Sequence, residues 1–168
     1  MFRVINKTFI FFYCLLIVGI GLQKAPEIMA SPEIIIPKYV TLKANEVNLR
    51  TGPGRRYPID WVYKKQGLPV EVTAKFDKWR RIRDYDGTTG WVHQSLLSTK
   101  RGIIVTSLSS NLKTEPTQSS KSIAILEAGV LAKLEKCTKY WCQIRIRGLS
   151  GWLNREHCWG TYRDEIFD

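Results

Sequence analysis

The sequence predicts an all-β protein in which two small tandem barrels follow an N-terminal signal peptide. Three observations support this class: an internal repeat, short runs rich in β-branched and aromatic residues, and no helical periodicity sustained over about twelve residues. The string NLRTGP at 48–53 returns as NLKTEP at 111–116. Later residues also recur, namely Gly67 as Gly129, Trp79 as Trp141, and Gly90-Trp91 as Gly151-Trp152. Two copies at this spacing indicate duplicated domains rather than a solenoid.

The first thirty residues belong to neither repeat. Arg3 and Lys7 precede an apolar run over 9–22, and Ala30 offers a small residue for cleavage before Ser31. This layout is typical of a secretory signal peptide, which we predict over residues 1–30. An uncleaved membrane anchor is the alternative, since the run is only slightly too short to span a bilayer. The remainder of the chain is predicted to be periplasmic or secreted.

An oxidising compartment favours disulfides among the exported cysteines. Cys137 and Cys142 lie at the two ends of a short predicted hairpin, where facing residues come close enough to bond. Repeat one has Lys75 and Arg80 at these positions, so both cysteines are missing together. A Cys137–Cys142 disulfide is therefore predicted, with a pair of free core thiols as the alternative. Cys158 is left over, either free and buried or paired between chains.

Each repeat is predicted to form about five short strands separated by turn signals. The run over 142–147 alternates apolar and polar residues, and Asp86-Gly87 is typical of a hairpin turn. So small a sheet hides its edges best by closing into a barrel. In repeat one, Gly52 and Gly54 are expected to give a tight turn through positive φ angles.

These motifs, in their order and spacing, resemble the bacterial SH3-like domain family. In repeat one they are Asn48–Gly54, Tyr57-Pro58, Gly67, Trp79 and Gly90–Val92. Repeat two resembles the family variant with a Cys on either side of the central hairpin. The predicted domains are SH3-like domain 1 over 40–98 and SH3-like domain 2 over 103–160. The resemblance implies exported modules that bind peptides or cell-wall polymers. Repeat two departs from the pattern at Lys113, Glu115 and Thr117, so its early loop is expected to differ in shape from that of repeat one.

The inventory of reactive residues argues against an enzyme. His157 and Cys158 are adjacent, so on a strand their side chains would point to opposite faces and could not form a dyad. Zinc bound through Cys137, Cys142, His157 and Cys158 would fit no common ligand spacing. No phosphate-binding glycine loop or paired carboxylates stand out. We therefore predict no catalytic residues, no cofactor and no metal.

The aromatic residues divide into shared and unshared sets. Trp91 and Trp152 follow glycine at matched positions and are expected in the core, and Trp79 and Trp141 are expected to be structural. Four aromatics of repeat one lack aromatic counterparts: Tyr57, Trp61, Tyr63 and Tyr85. The sequence matches Ser120, Ile123 and Ile125 to the first three. Aromatics that one repeat dispenses with are candidates for ligand binding, unless they pack against the other repeat.

Charge is as unevenly shared as the aromatics. Residues 38–101 carry 14 basic and 6 acidic side chains, a balance of +8, whereas residues 102–168 carry 9 and 7, a balance of +2. If Ile82 is in the core, the strand period places Arg81 and Arg83 on the opposite face. A basic face of this kind attracts anionic polymers. The complete predicted ligand-binding set is Tyr57, Trp61, Tyr63, Arg81, Arg83 and Tyr85.

The sequence thus predicts an exported, non-enzymatic protein whose tandem SH3-like modules hold a peptide or peptidoglycan component in the cell envelope. The expected partners are a cell-wall peptide or glycan, or an envelope protein. Nucleic acid is not expected behind a signal peptide, nor is stable membrane insertion after cleavage. The alternative is a structural or adaptor protein that contacts another envelope protein through Cys158 or through repeat two.

Overall fold

The computed structural model describes residues 36–166, which form fourteen β-strands and no α-helix. Repeat one contains β1 (Lys38–Leu42), β2 (Val47–Arg50), β3 (Ile59–Tyr63), β4 (Pro69–Phe76), β5 (Trp79–Arg83), β6 (Thr89–His93) and β7 (Leu97–Ser98). Repeat two contains β8 (Gly102–Val105), β9 (Ser109–Lys113), β10 (Ser122–Glu127), β11 (Leu131–Cys137), β12 (Trp141–Ile146), β13 (Leu149–Asn154) and β14 (Cys158–Trp159). The all-β prediction is confirmed. The predicted signal peptide over 1–30 lies outside the described residues, and the predicted domain boundaries stay predictions.

Each repeat folds into one seven-stranded antiparallel sheet. The strand order is β3-β2-β6-β5-β4-β1-β7 in the first sheet and β10-β9-β13-β12-β11-β8-β14 in the second. The two orders are the same permutation, so the repeats share one topology. Among the described residues no strand pairing joins β3 to β7 or β10 to β14. Nor does the described part of the chain contain a helix long and apolar enough to cross a membrane.

Each sheet encloses its own apolar core, and the two cores meet at β8. Leu49 and Ile82 are fully buried in the first core, as are Leu112 and Ile144 in the second. Ile104 lies on β8, in repeat two, yet it packs within the first core. Burial of a large aliphatic side chain contributes about 2 kcal/mol. Repeat one would therefore lose stability if it were separated from repeat two.

The strand register corrects the sequence matching of the two repeats. Trp61 and Tyr63 in β3 take the register positions that Ala124 and Leu126 take in β10. The matching of these aromatics to Ile123 and Ile125 is therefore wrong. Repeat two is one residue shorter than repeat one at this point. The missing residue lies in the turn that follows β10, not in the segment that precedes it. Tyr63 and Leu126 are equally buried, so both fill the same core position.

The loop between β2 and β3 is shaped by an aromatic ring packed on glycine. Neither Gly52 nor Gly54 has the expected positive φ, so that part of the turn prediction is wrong. The ring of Tyr57 lies against both residues instead. A Cβ on Gly52 would come within 2.6 Å of Tyr57 Cγ, and a Cβ on Gly54 within 3.3 Å of Tyr57 Cδ2. The matching positions of repeat two hold Glu115, Thr117 and Ser120, so the residues larger than glycine occur where the ring is absent.

We expect Gly52→Ala to lower the free energy of unfolding by about 1–3 kcal/mol, because the new methyl group overlaps the Tyr57 ring. The double variant Gly52→Ala/Tyr57→Ser should recover part of this loss, since it recreates the small residue of repeat two. Urea unfolding of the wild type, both single variants and the double variant measures the coupling. Additive effects of the two substitutions would contradict the packing role of the ring.

The predicted Cys137–Cys142 disulfide is confirmed. The two residues face each other across β11 and β12, with their Cα atoms 4.1 Å apart and both side chains fully buried. Repeat one closes the same hairpin end with Arg80, which pairs with Lys75 across the strands. The Arg80 guanidinium donates to the carbonyl of Asp77 at 2.8 Å and to Gln94 Oε1 at 2.6 Å. Hydrogen bonds from Arg80 therefore stabilise the hairpin end in repeat one, whereas the disulfide stabilises the equivalent hairpin end in repeat two.

Replacing both Cys137 and Cys142 with Ala should lower the free energy of unfolding by about 2 kcal/mol, which is the chain-entropy value for so short a loop. The measurement is urea unfolding without reductant. Cys158→Ala, which removes only the free thiol, is the control for loss of a sulfur atom. Equal stability of the double variant and the wild type would mean that the bond constrains the unfolded chain little.

A buried carboxylate joins the two repeats. Glu71 on β4 is 4% exposed, and its Oε2 accepts bonds from Arg83 Nε at 2.9 Å and Nη2 at 2.6 Å. Its other oxygen accepts the hydroxyl of Tyr162, which follows β14, at 2.9 Å. Both carboxylate oxygens are therefore hydrogen-bonded, one to Arg83 of repeat one and the other to Tyr162 in the segment after repeat two. Around them, the ring of Tyr39 packs against the ring of Tyr162 at a tilt of 46°, with the ring centres 4.7 Å apart, and meets Trp159 edge-on at 4.9 Å.

Two arginines fix the segment 160–166 that carries Tyr162. Arg101, between the sheets, forms an ion pair with Glu165 and donates to the carbonyl of Gly160 at 3.0 Å. Arg155 is 7% exposed and donates to the carbonyls of Tyr162, Arg163 and Glu165. Charge-assisted bonds of this kind hold an irregular backbone in one conformation. The chain after β14 is thereby held against the contact between the repeats that is formed by Tyr39, Glu71 and Tyr162. We call this contact the junction.

Tyr162→Phe should lower the free energy of unfolding by about 1–2 kcal/mol, because one oxygen of the buried Glu71 loses its donor. Tyr85→Phe is the matched control, since Tyr85 is 43% exposed and lies away from the junction. Urea unfolding of the full chain measures both. A Tyr162→Phe variant as stable as Tyr85→Phe would show that the hydroxyl does not stabilise the junction.

Candidate functional site

The outer face of sheet one presents a tryptophan where the sequence indicated a core residue. Gly90 is buried, and a Cβ there would lie 2.5 Å from Leu49 Cγ, whereas Trp91 points outward and is half-buried. Trp152 is likewise half-buried beside the buried Gly151. The expectation that both tryptophans lie in the core is wrong, because strand alternation turns the glycine, not the tryptophan, towards the neighbouring strand's leucine.

Arg81 stands beside Trp91 on this outer face. The two residues are cross-strand partners in β5 and β6, and Trp91 pairs on its other side with Arg50 in β2. Ile82 is fully buried while Arg81 and Arg83 are exposed, which confirms the predicted alternation. Among residues 36–166, Arg81 has no ion-pair partner. We call the pair Arg81 and Trp91 the outer-face pair.

The other two arginines near this face already have partners. Arg50 Nη1 donates to the carbonyls of Tyr57 at 2.7 Å and Arg55 at 3.2 Å, and so holds the β2–β3 loop. Arg83 is committed to Glu71, and the hydrogen bond to that carboxylate raises the pKa of the guanidinium. Arg83 is therefore less available to a ligand than its predicted role requires.

Tyr63 belongs to the core rather than to the surface. Its side chain is 6% exposed, and its hydroxyl donates to Asp84 Oδ2 at 2.8 Å. Burial, and then the hydrogen bond to Asp84, raise the pKa of Tyr63 well above its usual range. The ring offers no surface to a ligand, and Leu126 fills the same place in repeat two.

The remaining predicted aromatics are separate from one another. Trp61 is 58% exposed on the end strand β3, where alternation places it on the same side of the strand as Tyr63. Tyr85 is 43% exposed in the β5–β6 loop, and a hydrogen bond to Asp86 raises the pKa of its hydroxyl. Tyr57 packs on its glycines, with the Arg56 guanidinium 5.2 Å from the ring centre.

The predicted set therefore does not form a single cluster. Strand alternation separates Trp61 from Arg81, and Tyr63 is buried. Trp91 is a surface residue that the predicted ligand-binding set does not contain. The signal was present in the string TGWVH, where buried Gly90 and Val92 alternate with the exposed-side residues. Trp79 extends this face, and its ring meets His93 edge-on at 5.5 Å.

A groove of about 1060 Å³ runs between the repeats. We call it the inter-repeat groove. From repeat one it is lined by Thr41 and Lys65, and from the linker by Lys100 and Arg101. Repeat one also contributes Gly67. Repeat two contributes Gly102 at the start of β8, the end of β10, the start of β11 and the β12–β13 turn, which supply 125–133, 145–147 and Leu149. Sequence periodicity could not have located this groove, since its walls come from distant segments.

Among the Cys and His side chains of the described residues, Cys158 and His93 both have partners within the fold. No three His, Cys, Asp or Glu side chains within 36–166 are grouped so as to hold a metal ion. Cys158 is a free thiol whose Sγ lies 3.4 Å from the carbonyl of Arg155. Burial raises the pKa of Cys158 to about 12, which leaves little thiolate near neutral pH. His93 caps the short 3-10 turn after β6, with Nδ1 2.7 Å from Ser95 Oγ.

The repeated strand order and the two small cores define two tandem β domains of one topology. The model of the bacterial SH3 domain family matches residues 43–99 and 109–160. The chain belongs to this family and contains two of its domains in tandem. No curated protein matches the sequence.

Several solved structures resemble this chain distantly. NlpC2 and NlpC1 from Trichomonas vaginalis are 13% and 12% identical to it, cover 74% and 77% of it, and each has a TM-score of 0.35. An NlpC/P60 family protein from Bacillus cereus ATCC 10987 is 15% identical over 76% of the chain, with a TM-score of 0.34. The matched region spans 48%, 48% and 57% of those proteins. The chain thus matches about half the length of these structures.

Proposed function

We propose that this protein is a non-enzymatic binding protein of the cell envelope, and that repeat one holds a peptide or a peptidoglycan component. The outer-face pair is the observation that carries the proposal. In repeat two, Gln143 stands beside Trp152 at the equivalent positions, so the aromatic residue is kept and the charge is lost. An aromatic face beside a free guanidinium suits a ligand with apolar and carboxylate groups.

The distribution of charge supports a site on repeat one. The balance of +8 over residues 38–101, against +2 over residues 102–168, favours encounter with an anionic polymer on that side. The exposed Trp61 adds a second aromatic surface on the same repeat. The disulfide is compatible with an extracellular or periplasmic location, where wall peptides are found.

In the full chain, Arg81→Gln should lower retention on purified peptidoglycan about threefold at low salt, because an exposed ionic contact contributes less than about 1 kcal/mol. The difference from wild type should vanish at high salt through screening. Trp61→Ala should lower retention about fivefold at any salt concentration, because an aromatic contact contributes about 1 kcal/mol. Co-sedimentation of the protein with the polymer measures both effects.

Lys64→Gln is the matched control, since it removes one exposed positive charge from the same repeat. Full-length variants are compared, because Ile104 of repeat two completes the core of repeat one. Failure of the wild-type protein to sediment with peptidoglycan would remove the wall polymer as ligand and favour the adaptor alternative. An effect of Lys64→Gln equal to that of Arg81→Gln would show that retention depends on the overall positive charge of repeat one and not on a site at Arg81.

A further inference from the structure

The inter-repeat groove is strongly basic. Six basic residues line it, against one acidic residue, Glu127; the basic residues are Lys65, Lys100, Arg101, Lys133, Arg145 and Arg147. Several already have partners within the chain. Arg101 is paired with Glu165, Lys133 and Arg145 with Glu135, and Lys65 donates to the carbonyl of Gly129 at 2.8 Å.

Two cations of the groove have no such partner. Among residues 36–166, neither Lys100 nor Arg147 forms an ion pair or donates a side-chain hydrogen bond. Lys100 lies in the linker between the sheets, and Arg147 lies in the β12–β13 turn with a φ of 47°. They bring positive charge to the groove from two separate segments. An anionic ligand could therefore meet both without displacing an existing ion pair.

The same groove exposes apolar side chains. Ile125 is 68% exposed and Leu149 is 48% exposed, and both line the groove. Neither belongs to the two core clusters. Exposed apolar side chains surrounded by charged residues are typical of interaction surfaces. The apolar pair indicates that the ligand is not a purely ionic polymer.

The groove also contains the free edge of a sheet. Strand β10 is the last in its sheet, pairing only with β9 within the described part of the chain. Its outer row of backbone N–H and C=O groups therefore has no partner strand there. The end of this strand, Ile125–Glu127, lines the groove. Such an edge accepts one kind of ligand in particular, an extended polypeptide that continues the sheet.

We propose that the inter-repeat groove binds an extended acidic peptide that adds a strand to β10. Alternate side chains of an extended peptide point to opposite sides. Apolar residues on one side can contact Ile125 and Leu149, while carboxylates on the other meet Lys100 and Arg147. A phosphate polymer or a glycan lacks the amide groups that pair with a strand edge. The site is distinct from the outer-face pair and does not depend on the function proposed for repeat one.

The probe is a fluorescein-labelled peptide of about eight residues in which Glu and Val alternate, a length typical of one strand. Fluorescence anisotropy with the full chain should show binding that weakens with salt, and no binding of the peptide with Lys in place of Glu. Lys100→Glu/Arg147→Glu should weaken binding about tenfold at low salt. The matched control Lys64→Glu/Lys139→Glu reverses two exposed charges outside the groove and should change affinity less than twofold.

The apolar contact is tested separately. Ile125→Ser should weaken binding about threefold to fivefold, whereas Leu108→Ser should not, because Leu108 is 89% exposed but lies outside the groove. Circular dichroism melting of each variant shows that it is folded. Binding of polyphosphate but not of the peptide would overturn the proposal, as would equal effects of the groove and control variants. Loss of peptide binding in Arg81→Gln with none in Lys100→Glu/Arg147→Glu would place the peptide on the outer face instead.

Discussion

The buried carboxylate of Glu71 is the interaction on which the arrangement of the two repeats depends. A charge this far from water is tolerated only when its oxygens are fully hydrogen-bonded. Arg83 from repeat one and Tyr162 from beyond repeat two meet that requirement together. This interaction also affects the surface. Because Arg83 is bonded to Glu71, Arg81 is the cation beside Trp91 that remains available to a ligand.

The two repeats stabilise their equivalent hairpins and loops through different interactions. A disulfide closes the central hairpin in repeat two, and the bonds of Arg80 do so in repeat one. The early loop is held in repeat one by the guanidinium of Arg50, and in repeat two by Lys113, whose ammonium donates to the carbonyls of Gln118 and Ser120. The two repeats therefore share one topology although their stabilising residues and surfaces differ.

Part of the candidate site could be predicted from local sequence, and part could not. Alternation around Ile82 placed Arg81 and Arg83 correctly, because a strand period depends only on neighbouring residues. Trp91 was instead assigned to the core as a repeated aromatic, although the alternation in TGWVH turns Gly90 and Val92 inward and Trp91 outward. Tyr63 was chosen because its counterpart in repeat two is not aromatic, but an aliphatic residue such as Leu126 can fill the same buried position, so that criterion does not distinguish a surface ring from a core ring.

The sequence by itself determined the all-β class, the duplication, the hairpin that carries the disulfide and the asymmetry of charge. Each of these follows from residue type, spacing or composition, which are local or additive properties. Tertiary structure alone decided which cations have partners and which surfaces lie open. Glu71 and Tyr162 are 91 residues apart, and the inter-repeat groove draws its walls from both repeats and the linker. Such contacts depend on how the two sheets pack, and a pattern read along the chain does not contain that packing.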